Sequence, residues 1–262
     1  MRRYFRILVG LFKVSAMAEL EYRLNFVVKI ATDVIWYSAQ LVLFEVLFSH
    51  TKSISGWTLE STRVFMGVLF MVDSIFMLFI EYNLNQLSTK VRQGDLDLIL
   101  VKPVNSQFML SLQRMSPSYI GNVLLVLCWL VWSLSNLPQP VVWERLLILL
   151  ISVPCAVAIT YSLRLFFAAT AVIFTHAENI NYVWYQLYRL GMRPDNIYPR
   201  WLRYVVWTII PVAFIGSVPA RLIIEVLDIR LVLASMAAAA MTLFLSSRYW
   251  RFTLRFYSSA SS

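Results

Sequence analysis

From Leu146 to Phe174 the chain runs through apolar side chains with Arg164 as its single charge. A helix of about 20 such residues crosses the roughly 30 Å hydrocarbon core of a bilayer, and this run is longer. Five further stretches reach or approach that length: 24–48, 63–85, 108–134 with its strongest part after Tyr119, 201–218 with Pro211 inside it, and 231–250. Composition agrees. Of 262 residues 60% are hydrophobic and 14% charged, where a soluble domain is about a quarter charged. One or two globular cores cannot hide so much apolar surface, so lipid is the solvent. The reading is an all-α integral membrane protein of six transmembrane helices, with a single transmembrane domain over 23–262 behind a distinct segment, 1–22.

Basic residues set the sides of a membrane protein. With the N-terminus in the cytoplasm, seventeen Lys and Arg fall inside, among them Arg2, Arg3, Lys90, Arg92, Lys102, Arg189, Arg193, Arg200, Arg203 and Arg251. Five fall outside: Lys52, Arg63, Arg145, Arg221 and Arg230. Both termini are then cytoplasmic, and the net charge of +9 is a topology signal that requires no nucleic acid. Trp36, Trp57, Trp143, Trp201 and Trp250 fall near run ends, as an interfacial belt would.

The opening segment, MRRYFRILVGLFKVSAMAELEYR, is too interrupted by Arg6 and Lys13 for a cleavable signal. Ile7, Leu8, Leu11, Phe12 and Val14 cluster on one helical face, which fits a helix in the headgroup region. An ordinary cytosolic helix is the alternative. Cys128 and Cys155 lie in apolar runs and read as small buried hydrophobes.

Between the second and third runs lies VRQGDLDLILVKPVNSQF, residues 91–108. Helical spacing puts Leu96, Ile99 and Leu100 on one face amid charges, and Pro103 ends any helix at or before Lys102. A short amphipathic helix outside the bilayer needs a partner, either the membrane surface or a protein groove.

This stretch resembles the signature of the ABC-2 type permeases, in their six-helix subfamily. The resemblance rests on Arg92, Gly94, Leu96, Asp97, Lys102, Pro103, Asn105 and Gln107. Residues 195–220, DNIYPRWLRYVVWTIIPVAFIGSVPA, are similar to the family's Tyr-Pro approach to its fifth helix and the proline-punctuated segment after it. RYWRFTLRFYSSASS resembles its Tyr-Ser-Ser-Ala ending, although Phe252–Leu254 stand where a glycine is usual.

The resemblance implies an ABC-2 (type V) exporter fold, N-in/C-in, in which 1–22 is an elbow helix and 91–102 a coupling helix seated in an ATPase subunit. Leu96, Ile99 and Leu100 would be its anchors, Arg92, Asp95, Asp97 and Lys102 its polar contacts, and Gly94 its turn. No GxxxxGK[ST] phosphate loop occurs in the chain, so ATP and Mg belong to a separate ABC ATPase, and no cofactor is expected here. Six helices cannot enclose a pathway alone. A second permease chain, more often different than identical, is implied, in the inner membrane of a bacterium.

Ionisable residues inside spans are functional hypotheses by default. Lys29 and Asp33, four apart, read as a local pair, and Glu45 as reaching water. Glu81 and Arg164 fall at similar depth and either pair or reach the headgroups. Asp73 lies about 15 Å into its helix, near the midplane, with Phe76 one turn on. Pairing across a dimer, contact with a cationic or polar substrate, or a shifted interfacial position would each account for it.

Residues 211–229, with Pro211, Gly216 and Pro219, read as a re-entrant outer gate or a plain outer loop. His176 and Glu178 read as a solvated turn rather than a catalytic dyad. No metal-spaced cluster and no GxSxG appear, which argues against an enzyme. The function that follows is the permease subunit of an ATP-driven exporter of drug-like or toxic amphiphiles. A lipid or glycan exporter permease stays open, as does a self-contained ion-coupled transporter, although no inverted repeat supports the latter.

Overall fold

The computed structural model describes residues 2–21, 23–138, 142–174 and 179–257, and among them it is helical, with one isolated bridge between Ile54 and Trp57. His176, Glu178 and the terminal Ser-Ser-Ala lie outside the described residues. Helix α1 covers Arg2–Glu21 and α2 Arg23–His50. Helix α3, Leu59–Phe76, starts at Thr58, whose hydroxyl accepts from the amide of Ser61. It continues through a π-turn at Met77–Glu81, then α4, Tyr82–Asn85, and α5, Leu87–Gln93, as one rod of 35 residues. A π-turn leaves a carbonyl without its usual intrahelical donor. Here the amide of Ser116 donates to the carbonyl oxygen of Leu78 at 2.8 Å.

Gly94 stops the rod, with φ 77° in the left-handed region that glycine occupies without strain. The chain then forms α6, Asp95–Leu100, and α7, Ser106–Leu112, the latter capped by Asn105. Helix α8 is Tyr119–Ser135, α9 Trp143–Ile173, α10 Ile180–Gly191, α11 Arg200–Thr208, α12 Ser217–Ile224 and α13 Ile229–Thr253. Four of these elements are long and apolar enough to cross a bilayer: α2 from Val27, the Leu59–Gln93 rod, α9 and α13; α8 is a shorter apolar helix. The molecule is a multi-pass membrane protein.

Three expectations change. The 108–134 run is two helices, α7 and α8, parted by residues 113–118. The 201–218 run is not one helix: α11 ends at Thr208, Pro211 interrupts, and a 3₁₀ turn at Val212–Phe214 leads to α12. Instead α10, in a stretch read as a loop, packs beside α9 and the α3 rod.

The α3 rod is the axis. Its most apolar window is 83% buried, against 6% for that of α2. Phe65, Leu69 and Phe70 of α3 share one core with Ala156 and Ile159 of α9, Trp184 of α10 and Leu222 of α12. A second core joins Leu84, Leu87 and Val91 to Leu96, Ile99, Leu110, Leu165 and Trp250.

Two ends of the molecule follow from specific bonds. At one, Arg3 donates to the carbonyl of Pro103, the amide of Met115 to Ser15, and the indole of Trp250 to Ser106. At the other, Asn196 donates to the carbonyl of Ser55 and Arg145 to that of Ile223. Arg203 and Arg221, assigned above to opposite sides of a membrane, both bond the carboxylate of Asp195. They share one end of the molecule, with Ser55 and Trp57. Two of the belt tryptophans, Trp57 and Trp250, are in fact buried within the chain.

Candidate functional site

The glycine break folds α6 back on the rod. Leu96 and Ile99 are 0% and 2% exposed, packed in the chain's own second core, and Leu100 is half-buried against it. The stripe was correctly phased, but its partner is this chain. That corrects the assignment of Leu96 and Ile99 as anchors for another protein, because a residue with almost no exposed surface cannot enter a groove elsewhere. What α6 and its flanks present outward is Arg92, Asp95, Leu98, Val101 and Lys102, with Leu98 67% and Val101 84% exposed. Asp97 is half-buried; partial burial and the neighbouring Asp97 carboxylate push the Tyr257 phenol above its ordinary range. Helix α1 lies along the same end, with Ile7 and Leu11 against the second core, the ring of Tyr4 edge-on to Phe108 at 5.0 Å, and Glu19 accepting from the amide of Ser118 at 2.7 Å.

Immediately along the rod, Glu81 and Arg164 pair. The Arg164 Nε donates to a Glu81 oxygen at 3.1 Å, its Nη2 to Asn85 at 3.3 Å, and the Tyr185 hydroxyl takes the other Glu81 oxygen at 3.0 Å. Both charged side chains are buried, so this pair pins α3, α9 and α10 together. Such a pair is costly to break from one side only.

Asp73 is half-buried two turns away. Its carboxylate accepts from the hydroxyls of Tyr37 on α2 and Tyr188 on α10, each at 3.1 Å. These phenols are the partners that sequence spacing could not supply, lying 36 and 115 residues away. Asp73 opens on a cavity of about 430 Å³ that also exposes Asp33, Trp36, Tyr119, Tyr185 and Arg189. Phe76 is buried and borders a much smaller void beside it. The Lys29–Asp33 pair is replaced: Lys29 reaches Glu19 at 3.5 Å and lies 4.3 Å over the ring of Tyr119, while Asp33 accepts from Asn122 at 2.8 Å. Glu45 pairs with Arg63 at 2.7 Å. Cys128 is exposed on the chain's surface and Cys155 half-exposed, so neither is the buried hydrophobe expected.

At the other end the residues 211–223 form a buried insertion. Pro211 breaks the helix, Pro219 sits in the first turn of α12, and residues 211–223 are all buried. Gly216 permits the contact with α3, since a Cβ there would stand 2.8 Å from the ring of Phe65. Asp195, which sequence reasoning passed over, is the hub of this insertion. It is 1% exposed and accepts from Arg203 Nε at 3.0 Å, Trp207 Nε1 at 2.8 Å and Arg221 Nη2, while its amide donates to Ser217.

Among the described residues, no three His, Cys, Asp or Glu side chains gather to hold a metal ion. Compared with known families, residues 34–261 match the ABC-2 family transporter protein description. No curated protein and no solved structure matches the chain.

Proposed function

The chain belongs to the ABC-2 transporter family, a permease component of an ABC transporter, and from that premise we propose that it is an exporter permease driven by a separate ATPase. The observation that carries the coupling reading is the outward strip of Leu98 and Val101 between Arg92 and Lys102, on a helix clamped to the α3 rod by Leu96 and Ile99. An ATPase seated on that strip would push on a helix whose inner face is locked to the chain's axis. The push would then travel along the rod, through the Glu81–Arg164 pair, to Asp73. Helix α1 is the elbow helix of this reading, and its exposed face meets the headgroups or the same ATPase.

The proposed topology keeps both termini cytoplasmic and takes α2, the α3 rod, α8, α9, α10 and α13 as the six crossings. Residues 195–228 become the outer insertion, with Pro211, Gly216 and Pro219 in its gate. Arg193, Arg200 and Arg203 then move outward, Arg189 beside Asp73 joins Arg164 on neither side, and the basic excess inside is thirteen against eight, still in the inside's favour. The exposed length of α2 supports a second permease chain, of which a different one is the stronger expectation. A bacterial inner membrane is the expected location.

The test is copurification of the detergent-extracted protein with the bound chains identified by mass. Wild type is expected to bring a P-loop ATPase and a second permease-like chain. Leu98→Asp with Val101→Asp should lose the ATPase and keep the second permease and normal membrane insertion. A lone chain in every sample would overturn the permease reading.

A further inference from the structure

The cavity beside Asp73 has a chemistry that selects its occupant. Its volume, about 430 Å³, falls within the range of small-molecule sites, roughly 300–1,000 Å³. Two carboxylates, Asp33 and Asp73, line it together with one cation, Arg189. Lys29 stands nearby, but it is bonded to Glu19 and capped by the ring of Tyr119.

Both carboxylates are held by neutral donors only: Asp33 by the amide of Asn122, and Asp73 by two phenol hydroxyls. An ionised carboxylate offers about four acceptor positions. Asp73 therefore keeps acceptor capacity for a charged guest, and no basic side chain among the described residues bonds it.

The aromatic lining is an independent observation. Trp36, Tyr37, Tyr119, Tyr185 and Tyr188 face the cavity, and three of these rings are fixed by their hydroxyls: Tyr37 and Tyr188 on Asp73, and Tyr185 on Glu81. Rings held in place can meet a cation without ordering cost, and aromatic rings attract cations through their quadrupoles. Met77 and Met192 complete the wall with polarizable apolar surface.

We propose that this cavity binds the transported compound as an aromatic organic monocation, with Asp73 as its counter-charge. The proposal rests on the permease reading above and names the substrate class. An anion of the same shape would meet two carboxylates against the single guanidinium of Arg189.

The experiment uses the purified protein, with whatever subunits accompany it, in lipid nanodiscs. Binding of radiolabelled tetraphenylphosphonium and of tetraphenylborate is measured by equilibrium dialysis against empty nanodiscs. The two ions share shape and hydrophobicity and differ in sign. Saturable phosphonium binding is expected, with borate bound no more than to empty discs. Asp73→Asn should weaken the phosphonium by about tenfold or more, because this ion has no hydrogen-bond donor and is drawn to Asp73 by opposite charge alone.

Gln40→Lys, which adds a cation to the cavity wall and leaves the bonds of Asp73 untouched, should weaken it at least as much. That variant decides the matter should Asp73→Asn fail to fold. Borate binding as tightly as phosphonium, or phosphonium binding unchanged in a folded variant, would overturn the substrate class. This outcome is separate from loss of the permease reading, which shows as absence of an ATPase from the wild-type preparation whatever the dialysis reads.

Discussion

Asp73 and Asp195 are both carboxylates drawn into the protein, and they are held in opposite ways. Asp195 is 1% exposed and takes two guanidinium groups and an indole N–H. Its charge is consumed in tying Arg203 and Trp207 of α11 to Arg221 in the buried insertion 211–223. Asp73 is half-buried, takes only phenol hydroxyls, and fronts a cavity. A saturated carboxylate is a structural joint; one with spare acceptor capacity is available to a ligand. The difference lies in the donors, since burial alone would rank Asp195 as the stronger functional candidate.

The contrast breaks first at Asp195. Asp195→Ala strands the buried Arg221 and should cost about 3–5 kcal/mol, as one-sided loss of a buried pair does, while Arg203, 44% exposed, turns to solvent. Thermal unfolding of the detergent-extracted protein, followed by the fluorescence of its tryptophans, should show the drop; stability equal to wild type would end the reading of Asp195 as a joint. Gly216→Ala sharpens the same region. Its new Cβ stands 2.8 Å from Phe65, and overpacking of about 1–3 kcal/mol is expected in the same unfolding measurement. An unchanged melting curve would mean that the insertion is not pressed against α3.

The smallest effect should come from Asp73→Asn, whose amide oxygen still accepts from a tyrosine hydroxyl. Its stability should move by less than about 1 kcal/mol. A loss as large as that of Asp195→Ala would erase the distinction between the two sites.

Much of this arrangement was legible in the sequence. The runs at α2, α9 and α13 are long, continuous and bounded by charge, and each is a helix at nearly the expected residues. Gly94 and Pro103 marked the true breaks around α6, and the Leu96/Ile99/Leu100 stripe had the right phase. Periodicity reports that a face is covered, however, and not by what, so the chain's own α5, α7 and α9 were not foreseen as the cover.

Helix α10 was missed because it carries Tyr182, Tyr185, Tyr188 and Arg189 within 12 residues. Lining a cavity and bonding Glu81 and Asp73 require those polar groups, and they dilute the apolar signal of the helix. The Asp195 hub was invisible for a different reason. Its partners stand 8, 12 and 26 residues on, and no local spacing rule connects them.

The π-turn at Met77–Glu81 sets a limit on how this gene can vary. It packs one residue more into the rod than an α-helical path would, between the cavity carboxylate on one side and α5, α6 and α7 on the other. Deleting that extra residue would leave a plain α-helix with its two halves in the same phase, whereas deleting or inserting a residue in the α-helical parts would rotate one half of the rod against the other by about 100°, turning Asp73 away from its phenols or Leu84 and Leu87 out of their core. Within residues 59–93 length changes are therefore confined to that turn, and relatives of this chain should align through the rest of the segment without gaps.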